Sequence, residues 1–147
     1  MCENIVYFSA NDVVKKIRLK FPELEIVITR NDNMSFAPEN DSGYIEYKRE
    51  LINKSDDKLK KLATQMYYRI TEGVALNKKS AIYIVGVDDN GTIYGLNENS
   101  LYESVISIDK MCNYQESFIK RIIIVNIEEK IIMKVIISTN SNTNPFF

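Results

Sequence analysis

The stretch FIKRIIIVNIEEKIIMKVII, residues 118–137, consists of two long β-branched runs on either side of Glu128-Glu129. β-Branched side chains favour extended backbone, and a break this short between two such runs joins them as an antiparallel pair. Upstream, AIYIVGVDDNGTIYGL (residues 81–96) repeats the arrangement about Asn90-Gly91. That dipeptide is the strongest short hairpin signal, because a type I′ turn needs positive φ at both centres. Whatever precedes them, two antiparallel hairpins exclude an all-parallel sheet.

Helices fill the intervals. SDDKLKKLATQMYYRITEG (residues 55–73) opens with Ser55 as N-cap and with Asp56 and Asp57 at the positive end of the helix dipole. Leu59, Leu62, Met66 and Ile70 form its apolar stripe, and Gly73 is expected as the left-handed residue that ends it. Ser100 to Glu103 reads as a capping box, opening a helix with Leu101, Val105, Ile108 and Met111 inside.

Near the start, the apolar run Ile5 to Phe8 reads as a strand. Ser9 or Asn11 then caps a helix carrying Val13, Val14, Ile17 and Phe21 at helical spacing, and Pro22 ends it. LEIVITR (residues 24–30) completes a β-α-β unit. NDNMSFAPENDSG (residues 31–43) is a loop, and GYIEYKREL (residues 43–51) alternates Tyr44, Glu46 and Lys48 with Ile45, Tyr47 and Arg49, as a strand with one polar face does.

The expectation is an α/β (α+β) domain, a mixed sheet with antiparallel hairpins packed against about three helices. It comprises one globular domain over residues 1–138, with the β-α-β unit at 1–30, a terminal strand pair at 117–138 and a flexible tail at 139–147 ending Asn144-Pro145-Phe146-Phe147. That tail reads either as a frayed end or as a short adhesive motif.

Composition narrows function. The 147 residues are 45% hydrophobic and 27% charged, ordinary for a globular domain, and no apolar run approaches the roughly 20 residues of a membrane helix. The N-terminal residues lack the layout of a signal peptide, so a cytoplasmic setting without membrane partners is expected. Histidine is absent, which excludes His-based acid–base chemistry, His-activated nucleophiles and His-ligated metals. Cys2 and Cys112 are too few for a disulfide framework or a zinc site, and Cys112 reads as a buried thiol. The formal charge of -1 gives no global attraction to nucleic acid, yet a near-neutral total can hide a basic face.

Taken in order, GYIEYKREL, LKKLATQMYYRITEG, AIYIVGVDDNGTIYGL and SLYESVISIDKM resemble the N-terminal accessory domain of the GTP-binding protein 1 and 2 family. These are elongation-factor-like GTPases connected with translation and mRNA turnover. The shared elements are a Glu-Tyr-Lys strand, a Thr-Gln-Met helix ending in Glu-Gly and a Gly-Val-x-Asp-Asn-Gly hairpin, and the likeness covers residues 43–112. The chain contains no G-x-x-x-x-G-K-[ST] loop to cradle nucleotide phosphates, so neither GTP nor its hydrolysis is carried over. More distantly, the Glu-aromatic-Lys strand and the Gly-Val-Asp-Asp run are similar to the AlbA-like domain of Schlafen proteins, some of which cleave structured RNA.

Two sets of residues carry the functional expectation. The Schlafen likeness would place Asp41, Glu46 and Asp88 at carboxylate positions able to bind Mg²⁺ or Mn²⁺ and activate a water against a phosphodiester. Against this, Asp41 stands where the nuclease pattern prefers Glu, Asp88 suits a turn for local hydrogen bonding alone, and Glu46 is equally able to pair with Lys48 or Arg69. The second set is basic: Lys48, Arg49, Lys54, Lys58, Lys60, Lys61, Arg69, Lys78 and Lys79, interleaved with Tyr44, Tyr47, Tyr67 and Tyr68. Such a face neutralises phosphates and stacks unpaired bases, or else is simply a solvated helix surface. The leading expectation is an RNA- or ribosome-binding accessory protein that acts by occupancy and needs no cofactor. The alternatives are a metal-dependent ribonuclease with Glu46 and Asp88 as ligands, and a protein-interaction module offering an edge of its final strands.

Overall fold

The structure, a computed structural model, describes residues 10–139. It contains α1 (Ala10–Lys20), β1 (Glu25–Arg30), β2 (Ile45–Lys48), α2 (Asp56–Ala75), β3 (Ser80–Val85), α3 (Glu98–Asn113), β4 (Ser117–Ile127) and β5 (Lys130–Thr139). The five strands form one mixed sheet in the order β1-β4-β5-β3-β2. β4 pairs antiparallel with β5 and β5 antiparallel with β3, while β1 joins β4, and β2 joins β3, in parallel. The expected mixed α/β architecture is therefore present, and the β4–β5 hairpin is its centre.

That position corrects the expectation of an edge on the final strands. Their near-continuous apolar runs, buried on both faces, belong inside a sheet. β1 and β2 occupy the edges instead. The 81–96 hairpin is corrected too: β3 is followed by a single antiparallel bridge, Val87 to Ile93, and no second strand. Both edges of β3 are already taken by β2 and β5, so its downstream run has no ladder to join. Gly91 has positive φ (92°) but Asn90 does not, so the turn is not type I′.

The three helices cover one face of the sheet, with α3 touching both α1 and α2. Val13, Ile17, Leu59, Met66, Leu101, Val105, Ile108 and Met111 meet Tyr83, Val85, Ile122, Ile124, Met133 and Val135 in the main core. Cys112 is buried there, and burial pushes its thiol up to about 12. On the opposite face a smaller cluster gathers Tyr47, Ile84, Val87, Val125, Ile127 and Ile132, against which Met34 and Phe36 of the 31–43 loop pack.

Two helix boundaries differ from the reading of the sequence. Gly73 lies inside α2, not at a left-handed end: a Cβ there would stand 2.1 Å from the Ser80 carbonyl oxygen, so the glycine is required for close approach to β3. Asn97, not Ser100, caps α3; Asn97 Oδ1 accepts from the Ser100 amide (2.8 Å) and Ser100 Oγ accepts from the Asn97 amide (3.0 Å). Ser55 caps α2 as expected, its hydroxyl accepting from the Lys58 amide. The Ile5–Phe8 strand and the Asn144–Phe147 tail lie outside the described residues.

Candidate nucleic-acid interface and polar groove

Glu46 is not the polar tooth of a half-exposed strand. β2 is only four residues long, and both Glu46 and Tyr47 are buried, on opposite faces. Glu46 points to the helix side, where Arg69, on the inner side of α2, donates from Nε to its Oε1 at 2.8 Å. The same guanidinium donates to the carbonyls of Gly43 (3.1 Å) and Asn40 (3.0 Å), and lies 3.9 Å from Glu39. Lys48 approaches the other Glu46 oxygen at 3.4 Å. Of the two pairings open to Glu46 in the sequence, the structure makes both.

The loop ahead of β2 is tied into this cluster. The Glu39 carboxylate accepts from the Tyr47 amide, the Glu39 amide donates to the Asp89 carbonyl at 2.7 Å, and the Tyr47 hydroxyl donates to the Ala37 carbonyl at 2.8 Å. Burial raises the Glu39 carboxyl above its ordinary value, opposed by the Tyr47 N–H and reinforced by the nearby charges of Glu46 and Asp89. Above these contacts lies an open groove of about 410 Å³. Five carboxylates line it, Glu39, Asp41, Glu46, Glu72 and Asp89, against the two cations Lys48 and Arg69, and Gln65 and Tyr68 complete the wall.

Of the expected acidic set, Asp41 and Glu46 share the groove. Asp88 is not part of its lining, and its neighbour Asp89 is. Among the described residues, no group of three or more Asp, Glu, Cys or His side chains is arranged to hold a metal ion. Glu39 and Glu72 were not singled out in the sequence. Glu39 lies in a loop without periodicity, and nothing local marks it as the acceptor for a strand amide eight residues ahead.

The basic set divides in two. Arg69 and Tyr47 are buried and already hydrogen-bonded, so neither presents its polar group to an RNA backbone. Lys58, Lys60 and Lys61 are exposed on α2, as are Lys78 and Lys79 just beyond it. Arg49 stacks on Tyr94 at 3.7 Å, and Lys78 lies 5.9 Å from the Tyr44 ring. Tyr67 and Tyr68 are 49% and 63% exposed, their rings edge to face with centroids 5.9 Å apart. Tyr114, at the end of α3 and unremarked in the sequence, is 44% exposed, and Lys60 sits 5.8 Å from its ring. The order of helices thus brings together rings and cations that are some fifty residues apart in the chain.

A second groove, of about 570 Å³, lies at the far end of α1 between Phe21, Leu24 and Phe118. Asp109 on its wall is raised by burial, with Lys20 opposing.

Comparison with known proteins gives partial relatives. An uncharacterized protein of Acanthamoeba polyphaga mimivirus is 34% identical over 124 residues, covering 84% of this chain and 65% of its own length. GTP-binding protein 2 of Mus musculus and of Homo sapiens is 39% identical over 81 residues, 55% of this chain and 13% of that protein. The chain resembles a region of GTP-binding protein 2. It spans less than two thirds of each of these relatives. No protein-family model matches it, and no solved structure matches it. The comparisons add nothing to the Schlafen likeness. No helix among the described residues is long and apolar enough to cross a membrane.

Proposed function

We propose that this chain is an accessory RNA-binding module, acting by occupancy on RNA or the ribosome in translation or mRNA turnover. The observation that carries the reading is the exposed face of α2, where Tyr67 and Tyr68 follow Lys60 and Lys61 about two helical turns on, and Lys60 lies 5.8 Å from the ring of Tyr114 at the end of α3. Exposed rings are suited to stacking on bases, while ammonium groups on the same helix neutralise phosphates. The likeness to a region of GTP-binding protein 2 supports a translation-related setting. GTP itself is not proposed as a ligand, since the chain has no phosphate-binding loop.

The test is fluorescence anisotropy of labelled single-stranded RNA and tRNA across a salt series. Binding is expected to weaken steeply with salt, and Lys60→Ala with Lys61→Ala to lower the salt slope by about two. Association that ignores salt and survives both changes would replace this reading with a protein-interaction module. Cleavage that requires Mg²⁺ or Mn²⁺ and disappears in Glu46→Gln would replace it with a ribonuclease.

A further inference from the structure

The last strand ends beside the second groove. In the β4–β5 register Thr139 stands opposite Ser117 and Ser138 opposite Phe118. β1 reaches only as far as Glu25, opposite Arg121, whereas β4 begins at Ser117. Ser117–Lys120 therefore has β5 along one side and, among the described residues, no strand along the other. The groove of about 570 Å³ lies there, between Phe118–Lys120 and the Lys20–Leu24 segment that leads into β1. Its apolar wall is Phe21, Leu24 and Phe118, the last of them 42% exposed. Its charges balance, Lys20 and Lys120 against Glu23 and Asp109. An open strand edge next to an exposed aromatic ring is suited to an extended apolar segment, which gains backbone hydrogen bonds and buries its side chains together.

The eight residues that follow Thr139 read NSNTNPFF, with no charged side chain and two adjacent phenylalanines, Phe146 and Phe147. We propose that Asn144–Phe147 docks in this groove of its own chain, placing Phe146 and Phe147 against Phe21, Leu24 and Phe118. Charge favours this occupant: a neutral segment suits a rim whose two cations and two anions cancel, and a strongly charged partner finds no excess to oppose. Length permits it. The crossing from β5 to the open side of β4 is two strand spacings, about 10 Å, and the five residues 140–144 extend to about 16–18 Å. The stretch of β4 without a β1 partner runs for four residues, about 13 Å, which Asn144–Phe147 matches when extended. Tethering to Thr139 supplies an effective concentration on the order of millimolar, so docking of modest intrinsic affinity is well populated. This contact is independent of the RNA-binding reading, whose residues lie on α2 and at the end of α3.

The experiment measures binding of a fluorescein-labelled peptide with the sequence of residues 140–147, amidated at its end, to the whole chain and to the whole chain carrying Phe146→Ser and Phe147→Ser, whose own tail no longer competes. For a free groove that holds the peptide at about 0.1 mM, the parent is expected to bind it about tenfold more weakly than the variant. Adding Phe118→Ser, at a half-exposed position, to the variant is expected to weaken peptide binding at least about tenfold. Equal binding by parent and variant overturns the tail as occupant. No saturable binding by the variant up to about 1 mM peptide, or binding that Phe118→Ser leaves unchanged, overturns the groove as the site. Sedimentation velocity of the parent is expected to show a monomer. A dimer that Phe146→Ser with Phe147→Ser dissolves overturns the contact within one chain in favour of exchange with a second copy.

Discussion

Arg69 and Glu46 form an ion pair across the helix–sheet boundary, 2.8 Å from Nε to Oε1, with both side chains at least nine-tenths buried. Such a pair contributes little net stability when intact, because desolvation offsets the attraction, but it is expensive to break. Arg69 also satisfies the carbonyls of Asn40 and Gly43, so one side chain fixes β2, the preceding loop and α2 together.

Arg69→Met is therefore expected to destabilise the protein by about 3–5 kcal/mol, leaving the buried Glu46 carboxylate with only Lys48 beside it and the Gly43 and Asn40 carbonyls without their donor. For a chain of this size the thermal midpoint falls by roughly 10–16 °C. Adding Glu46→Gln to the Arg69→Met background recovers part of the loss, since the buried carboxylate that has lost its guanidinium is then gone. Urea denaturation of the two single variants and the double measures the coupling, and strict additivity would show that the two groups do not interact.

Gly73→Ala tests the close approach of α2 to β3. In an open helix interior the change stabilises by about 1 kcal/mol. Here the new Cβ meets the Ser80 carbonyl oxygen at 2.1 Å, a backbone atom that cannot rotate away. The expected result is a loss of about 1–3 kcal/mol. The sign of the measured change is sufficient to decide.

The cap of α3 distinguishes the sequence reading from the structure. Asn97→Ala is expected to cost about 1 kcal/mol, because it exposes the Ser100 amide. Glu103→Ala, at the position the sequence assigned to the capping box, is exposed and is expected to stay within about 0.5 kcal/mol of the parent. Thermal unfolding by circular dichroism resolves the two.

These differences show what was legible in the sequence. Elements with their own periodicity were: the stripe of Leu59, Leu62, Met66 and Ile70 in α2 and the inner face of α3 are buried as expected, and the two final runs pair antiparallel as expected, though inside the sheet and not at its edge. What depends on partners was not. Ser104 and Ser107 look like interruptions of an apolar face, yet they bond the backbone amide and carbonyl of Leu51, fifty-odd residues away. Glu46 alternates correctly with its neighbours, but period two does not say which face of an edge strand a helix will cover, and Arg69 reads as one more cation on a basic helix. The groove is built from that unread pairing, and the exposed lysines and tyrosines of α2 are what remain of the basic face once Arg69 and Tyr47 are withdrawn into the interior.

Glu39 gives the cluster a pH dependence. Its folded pKa is raised, mainly by burial, above the unfolded value, so its contribution to stability is fully present below the unfolded pKa and is lost as pH rises through the folded one. As pH rises through the folded value, the native state takes on the cost of ionising that carboxylate beside Glu46 and Asp89. Glu39→Gln removes the ionisation and keeps an oxygen to accept from the Tyr47 amide. Relative to the parent, the variant is therefore expected to gain stability as pH rises above the ordinary carboxylate value of 4.5. Urea midpoints of both proteins, followed across that range, check the sign. A difference that stays flat would mean that Glu39 titrates alike in the folded and unfolded chains, and that Arg69 and the Tyr47 amide fully offset its burial.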